Sequence, residues 1–367
     1  MHVVSTLKRG GIEVFVTELL RRSERDCFGM SVCCLSESRE LEETCRVAGA
    51  AVFHCQYTSP DLVSLVLRMA RLFRQQRVDV VHSHVGAFTA WVALAGRLAG
   101  VQAVVGTYHN TYRYPKRGLA VSYLWLGKLL ATRQTAVSRA VSDWFEVEYG
   151  LRDLEVLYLG VDTEKYVPLW PEQVAGVRAE LGISSGAHVV GTVCALSVQK
   201  DLSTFLRAAR HVVESLESHV YFLVIGDGVM RAELERFAQQ LDLNGTVVFL
   251  GVRSDVERLI AAMDVFVLTS RWEGLPITVL EAQSSAVPIV ASRLPGICEA
   301  LIEGETALLA DVGKDQVFAD LILRLLRQPE LARSLGRNGR KLVLSRFRLD
   351  ASLERHKALY FELGLRT

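Results

Sequence analysis

Short β-branched runs alternate with longer amphipathic runs along the chain, the pattern of parallel sheets joined by crossover helices. The run HVVST leads into a predicted helix over residues 13–25; MSVCCL and AVFHC follow as strands, then a helix over 62–75 and the strand VDVVHSH. A helix over 88–98, the strand AVVGTYH, a helix over 119–131, the strand TAVS and a helix opening at 139 complete one doubly wound unit. After the polar, proline-containing VLYLGVDTEKYVP the pattern restarts with VVGTVCAL, a helix over 202–216, VYFLVIGDG and a helix over 231–241. VVFLG, a short helix over 256–262, VFVLTS, a helix after Pro276, PIVAS and ALLA finish a second unit. The expected domains are 1–162 and 163–347, with a last helix over 348–367 that has no sheet to complete and packs back on the first. Ligands of such sheets bind beyond the carboxyl ends of the strands, so two binding edges are expected to face each other across a cleft.

Composition agrees with this division. A chain of 367 residues exceeds what one core usually organises, and its 50% hydrophobic and 23% charged residues suit two globular cores rather than disorder. The formal net charge of +1 gives no argument for a nucleic-acid partner, although residues 1–160 hold 19 Lys and Arg against 15 Asp and Glu and are mildly basic. Seven cysteines, with Cys33 and Cys34 adjacent and no regular spacing, fit free thiols in a reducing cytoplasm better than a disulfide framework or zinc site. No run reaches the roughly 18 apolar residues of a membrane span; AFTAWVALAGRLAGV is interrupted by Arg97. The opening MHVVSTLKRGG reads as a short strand entering a glycine turn rather than as a leader, so a soluble cytoplasmic protein is expected.

The candidate chemistry lies in TSRWEGLPITVLEAQSSAVPIVAS. An apolar strand ends at Ser270, a Gly-Leu-Pro turn follows, and Pro276 suits the first position of a helix. The amides of Gly274 and Leu275 then lie at a helix N-terminus, where unpaired N–H groups and the helix dipole attract phosphate. Glu273 precedes the helix and Glu281 lies five residues into it, an axial separation of roughly 8 Å. An inverting glycosidase pair, about 6.5–9.5 Å apart, has similar spacing, so spacing alone leaves that reading open. The phosphate-binding turn between the carboxylates favours a ligand carrying both sugars and a diphosphate.

With these residues in view, the segment resembles the E-x7-E region of retaining glycosyltransferases of family 4, which have the GT-B fold of two facing Rossmann-like α/β domains. The likeness extends over nearly the whole chain through GGIE at 10–13, VDVVHSH, GTYHN around His109, AVS before Arg139, LGVD at 159–162, SVQKD at Lys200, GDG at 226–228 and PGICEAL at 295–301. It implies a donor site in which Glu281 accepts from ribose hydroxyls, Glu273 from donor-sugar hydroxyls, and Lys200 neutralises the departing diphosphate. Gly10 and Gly11 would let backbone amides approach a phosphate from the first domain. His109 matches a position that approaches the transferred sugar. His82 and His84 have the spacing of a metal pair, but no third ligand is evident in the sequence, so neither a metal nor another cofactor is expected. Asp227 in GDG is likewise no metal-binding motif. The implied reaction is same-face attack by an acceptor hydroxyl as the diphosphate leaves, with a UDP-sugar the expected donor.

The sequence departs from the family pattern at Ala195, where a second phosphate-binding Arg is usual. Loss of one charged hydrogen bond, about 1.5–3 kcal/mol, would lower activity by one to two orders of magnitude without a substitute cation. Arg253 and Arg271 are the candidates for that role. Val287 replaces the usual Gly before Pro288, a packing change. On the acceptor side, Arg68, Arg71, Arg74 and Arg77 lie beside an apolar helix face, and Arg113, Lys116 and Arg117 add charge; these groups are expected to bring the enzyme to an anionic membrane holding a glycan or lipid-linked acceptor. Two further readings remain open: a non-catalytic GT-B subunit that binds nucleotide or a partner enzyme, suggested by Ala195, and a nucleotide-sugar epimerase.

Overall fold

The computed structural model describes residues 1–8, 10–22, 28–57, 61–114 and 118–364. The chain divides into two compact units: Met1–Leu159 together with the segment from Ala351 onward, and Gly160–Asp350. The first holds a sheet of β1 (His2–Val4), β2 (Ser31–Cys34), β3 (Ala51–His54), β4 (Val80–Ser83), β5 (Ala103–Tyr108), β6 (Arg133–Ala136) and β7 (Glu155–Val156). All pairings are parallel and the order is β3-β2-β1-β4-β5-β6-β7, so the winding reverses between β1 and β4.

The second sheet contains β8 (His188–Val193), β9 (Val220–Ile225), β10 (Val247–Gly251), β11 (Val265–Leu268), β12 (Ile289–Ser292) and β13 (Leu308–Ala310). It is also parallel, in the order β10-β9-β8-β11-β12-β13, and reverses between β8 and β11. Each sheet thus opens a crevice at its own switch point, beyond the strands' carboxyl ends.

Helical periodicity explains how the sheets are covered. In the helix Leu62–Gln75, Leu65, Val66, Met69 and Phe73 recur on one turn-aligned stripe and are buried, while Asp61 caps the start by accepting from the Ser64 amide at 2.9 Å. In the second unit the helix Leu202–Ser215 buries Phe205, Leu206, Ala209 and Val212. Phe205 meets Phe222 of β9 edge-to-face at 5.7 Å, and its truncation to Ala would cost about 3–5 kcal/mol.

Several elements were not predicted: β7 and the helices Glu42–Val47, Pro171–Glu180, Asp315–Arg327 and Pro329–Arg346. The first predicted helix is seen as Gly11–Arg22, and its expected end at residue 25 lies outside the described residues. The last helix, Leu349–Gly364, buries Leu359 and Leu363 against Ala103, Val105 and Leu157 of the first unit, and Ser352 Oγ donates to the Tyr158 carbonyl at 2.6 Å.

Candidate active site

The switch point of the second sheet brings together residues far apart in sequence. β8 delivers the loop through Lys200, and β11 delivers Thr269 to Glu273. Thr269 Oγ1 donates to the Lys200 carbonyl at 3.0 Å and the Asp201 carbonyl at 3.1 Å, while the Arg271 amide donates to the Gln199 carbonyl at 2.8 Å. These bonds hold the two loops side by side. On that frame Lys200 Nζ pairs with Glu273 Oε1 at 2.5 Å, Ser270 Oγ donates to the same oxygen at 2.6 Å, and Gln199 Nε2 reaches Glu273 Oε2 at 3.3 Å. Glu273 is buried, so these donors satisfy oxygens that water does not reach.

The turn after Glu273 is supported from below. A Cβ on Gly296, in PGICEAL, would collide with the carbonyl oxygens of Gly274 and Glu273, so only glycine allows this backbone-to-backbone approach. Gly274, Leu275 and Pro276 are buried as the chain enters the helix Ile277–Ser284. Pro276 stands at the cap in extended conformation, one residue earlier than expected, because its ψ of 110° falls outside the helical range. Glu281 is buried on that helix. Burial pushes its carboxyl up to about 7, opposed by a hydrogen bond with the Tyr166 side chain and by the Lys165 charge; Glu257 adds to the rise.

The candidate replacement cations have partners. Arg253 forms a two-pronged pair with Asp255, both contacts at 2.8 Å. Arg271 Nη2 lies 3.1 Å from Asp201 Oδ1, immediately beside Lys200 in the chain. Ala195 is exposed on the same β8 loop. Asp227 accepts from the Gly228 amide at 2.7 Å and lies 3.4 Å from Arg231.

In the first unit Gly11 opens the helix Gly11–Arg22 and Gly10 precedes it. A Cβ on Gly10 would lie 2.6 Å from Glu13 Oε2, so the missing side chain makes room for the Glu13 carboxyl. That carboxyl is buried and raised to about 7 by desolvation. A cavity of about 730 Å³ lies beyond the carboxyl ends of β1 to β5, lined among others by Ile12, Tyr57, Phe88, His109, Asn110 and Tyr112.

His109 follows β5 and is held from behind: its Nε2 lies 2.9 Å from His84 Nδ1, whose Nε2 lies 3.0 Å from His2 Nδ1. His2 supplies the third imidazole that was not evident beside His82 and His84 in the sequence. Nitrogens of His2, His82 and His84 lie within 4.8 Å of one another. Each ring is engaged in hydrogen bonding: His2 and His84 bond to each other, while His82 Nδ1 meets Tyr360 Oη at 2.6 Å and its Nε2 meets Thr107 Oγ1 at 2.5 Å. Burial lowers all these histidines, His109 to about 3, and keeps the rings neutral near pH 7.

Sequence reasoning missed Ser270 and Gln199 around Glu273, Tyr166 and Lys165 around Glu281, and the His2 to His109 chain. Ser270 had a usable signal, standing three residues before Glu273 at the end of a strand. The other contacts depend on which strands become neighbours. Among the basic residues linked to acceptor binding, Arg68 donates to the Gln56 carbonyl at 2.7 Å and Arg74 to the Leu98 carbonyl at 2.6 Å. Lys116 and Arg117 lie outside the described residues. The helix Thr89–Ala99 packs between Leu62–Gln75 and Leu119–Leu130. This layer exposes Val63, Leu67, Leu119, Trp125 and Leu129. Among the described residues, no helix is long and apolar enough to cross a membrane.

Comparison with known proteins agrees with the architecture. Residues 9–165 match the family model described as Glycosyltransferase Family 4, and residues 176–342 match Glycosyl transferases group 1. The chain is 27% identical over 315 residues to an Escherichia coli UDP-Gal:alpha-D-GlcNAc-diphosphoundecaprenol alpha-1,3-galactosyltransferase, covering 83% of this chain and 80% of that protein. It is 25% identical to the lipopolysaccharide core biosynthesis glycosyltransferase LpsE of Rhizobium meliloti strain 1021, covering 96% and 91%. In three dimensions it resembles Anabaena HepE in complex with UDP and glucose, with a TM-score of 0.87, 20% identity and 99% of each chain covered. The fold is GT-B, with two parallel-sheet α/β units.

Proposed function

This chain belongs to the family 4 glycosyltransferases, and from that membership we propose a retaining, metal-independent enzyme that moves a sugar from a UDP-sugar to a hydroxyl of a lipid-linked glycan in polysaccharide or glycolipid assembly. The observation that carries this reading is the set of Lys200, Glu273 and Glu281 around the Gly274 turn at the second sheet's switch point. The UDP in the HepE complex and the UDP-Gal and diphosphoundecaprenol in the E. coli relative's name support the choice of donor and acceptor classes.

Lys200 supplies positive charge where the β-phosphate leaves; in the free protein Glu273 holds that ammonium in place. As the donor arrives, its diphosphate shares Lys200, and a sugar hydroxyl donates to Glu273. Glu281 accepts from the ribose hydroxyls. The Gly274 and Leu275 amides are assigned to phosphate oxygens, and the Gly10 and Gly11 amides keep the phosphate contact that the family resemblance implies for them. Arg271 is the better-placed substitute for the cation missing at Ala195, because its backbone and side chain are both tied to the loop carrying Lys200; Arg253 is assigned to the donor's outer edge.

The acceptor hydroxyl forms the new bond to the anomeric carbon on the face from which the β-phosphate oxygen departs, and its proton passes to that phosphate. The reaction needs positioning and charge rather than a protein nucleophile. Neutral His109 hydrogen-bonds sugar hydroxyls. The aromatic cavity in the first unit holds the acceptor, and Leu67, Trp125 and Leu129 meet the bilayer interface beside Arg71 and Lys128. The same reading assigns the enzyme to the cytoplasm, at the inner face of the membrane.

Product stereochemistry tests the reaction. With an α-linked UDP-sugar, proton NMR should show an α-glycoside, and excess EDTA should leave the rate unchanged. A β-linked product or EDTA-dependent loss would overturn the retaining or metal-independent part, respectively.

A further inference from the structure

We propose that His84 and His2 are positioning residues that set the tautomer and ring orientation of His109 through one continuous imidazole chain. The fold makes the chain through the first sheet's switch point. β1 pairs with β4 in a register that places His2 beside His82, and two residues later His84 turns toward the next strand, where His109 follows β5. The His2 and His84 rings are stacked, with centroids 5.3 Å apart and planes inclined by 14°. The links are His2 Nδ1 to His84 Nε2 at 3.0 Å and His84 Nδ1 to His109 Nε2 at 2.9 Å. His109 Nδ1 ends the chain, buried and without a hydrogen-bond partner among the described residues.

Neutral imidazole carries one N–H and one bare nitrogen. Each link therefore needs one ring to donate and the other to accept, which leaves two proton orders. In one, His2 donates to His84 and His84 to His109, so all three protons sit on Nδ1 and His109 offers an N–H. In the other, His109 donates backward, all three protons sit on Nε2, and His109 Nδ1 offers a lone pair. The rings share one tautomer in either case. A sugar hydroxyl, both donor and acceptor, can complete either order at the open nitrogen. The separate bonds of His82 to Tyr360 and Thr107 hold the neighbouring ring without interrupting the chain.

This inference rests on the proposed sugar contact of His109, and the test separates the two claims. Long-range 15N NMR of histidine-labelled full chain, without ligand, should find His2, His84 and His109 in the same tautomer. His84→Asn places an amide where Nδ1 stood and should preserve the His109 ring signals; His84→Gln extends toward His2 instead and should release them into a mixture of tautomers. Turnover of a UDP-sugar substrate should fall roughly 3- to 10-fold in His84→Gln with donor KM unchanged, and recover in His84→Asn. Unlike tautomers in the parent chain, or an unchanged His109 spectrum in folded His84→Gln, would overturn the positioning role. If the tautomers match but saturating UDP-glucose, and each other UDP-sugar that binds, leaves the His109 signals unmoved, the sugar-contact reading fails and the chain's tautomer coupling stands.

Discussion

Glu281 should make donor binding depend on pH with a defined sign. Its carboxyl is buried beside Tyr166, Lys165 and Glu257, and is raised from 4.5 to about 7. Accepting one ribose hydroxyl on each carboxylate oxygen needs the ionised form, because protonation turns one oxygen into a donor. At pH 6 about one-tenth of the free protein carries that form, so affinity for a UDP-sugar should be about tenfold weaker than above pH 8, a difference of about 1.4 kcal/mol. Affinity should rise through pH 7 and then level, with close to one proton released per donor at pH 6. Titration calorimetry in two buffers of different ionisation enthalpy measures both quantities, and a UDP-sugar avoids the terminal phosphate ionisation of UDP. Glu281→Gln should bind more weakly and lose the pH dependence. Affinity that is flat in the parent, or falls as pH rises, would refute the ribose-carboxylate assignment. The same shift has a folding consequence without donor: stability present below pH 4.5 is lost as pH rises through about 7, up to about 3 kcal/mol from this group.

Other tests probe the surrounding structure. Lys200→Met should destabilise the second unit by about 3 kcal/mol, because Glu273 is left buried with fewer donors; combining it with Glu273→Gln should restore much of the loss in chemical denaturation. Ala195→Arg should raise turnover by roughly one order of magnitude, while Arg271→Ala should lower it by a similar factor, read as kcat/KM for the donor. Gly296→Ala should displace the Glu273–Gly274 turn and weaken donor binding at least tenfold by calorimetry, with the far-ultraviolet spectrum retained. In sedimentation with anionic vesicles at low salt the parent should bind, and Trp125→Ala with Leu129→Ser should reduce binding several-fold; absence of parent binding would end the membrane assignment.

Much of the fold follows from local pattern. β-branched runs such as VFVL and amphipathic runs such as LVSLVLRMARLFRQ declare strand or helix within a few residues, whereas β7 has only Glu155 and Val156 and depends on pairing with β6. The helix Pro329–Arg346 is predominantly polar and buries Leu335, Gly336, Gly339 and Val343, a stripe too sparse to stand out by periodicity. Of the candidate site residues, Glu273, Lys200 and Glu281 stand out in the sequence by motif spacing. Gln199 as a Glu273 donor and Tyr166 as a Glu281 neighbour do not, since each contact joins segments separated by more than 70 residues. His2 joins His84 only because β1 and β4 are adjacent where the sheet reverses direction.

The most direct test is release of UDP from a panel of UDP-sugars with a lipid-linked glycan acceptor, comparing the parent with Lys200→Ala and Glu281→Gln. The account predicts that the parent turns over a UDP-sugar, that Lys200→Ala loses at least 100-fold in kcat, and that Glu281→Gln loses donor affinity. No turnover of any donor by the parent, unchanged by Ala195→Arg, would favour a binding subunit, and donor conversion without acceptor an epimerase. Equal turnover and donor affinity in all three proteins would contradict the site assignment.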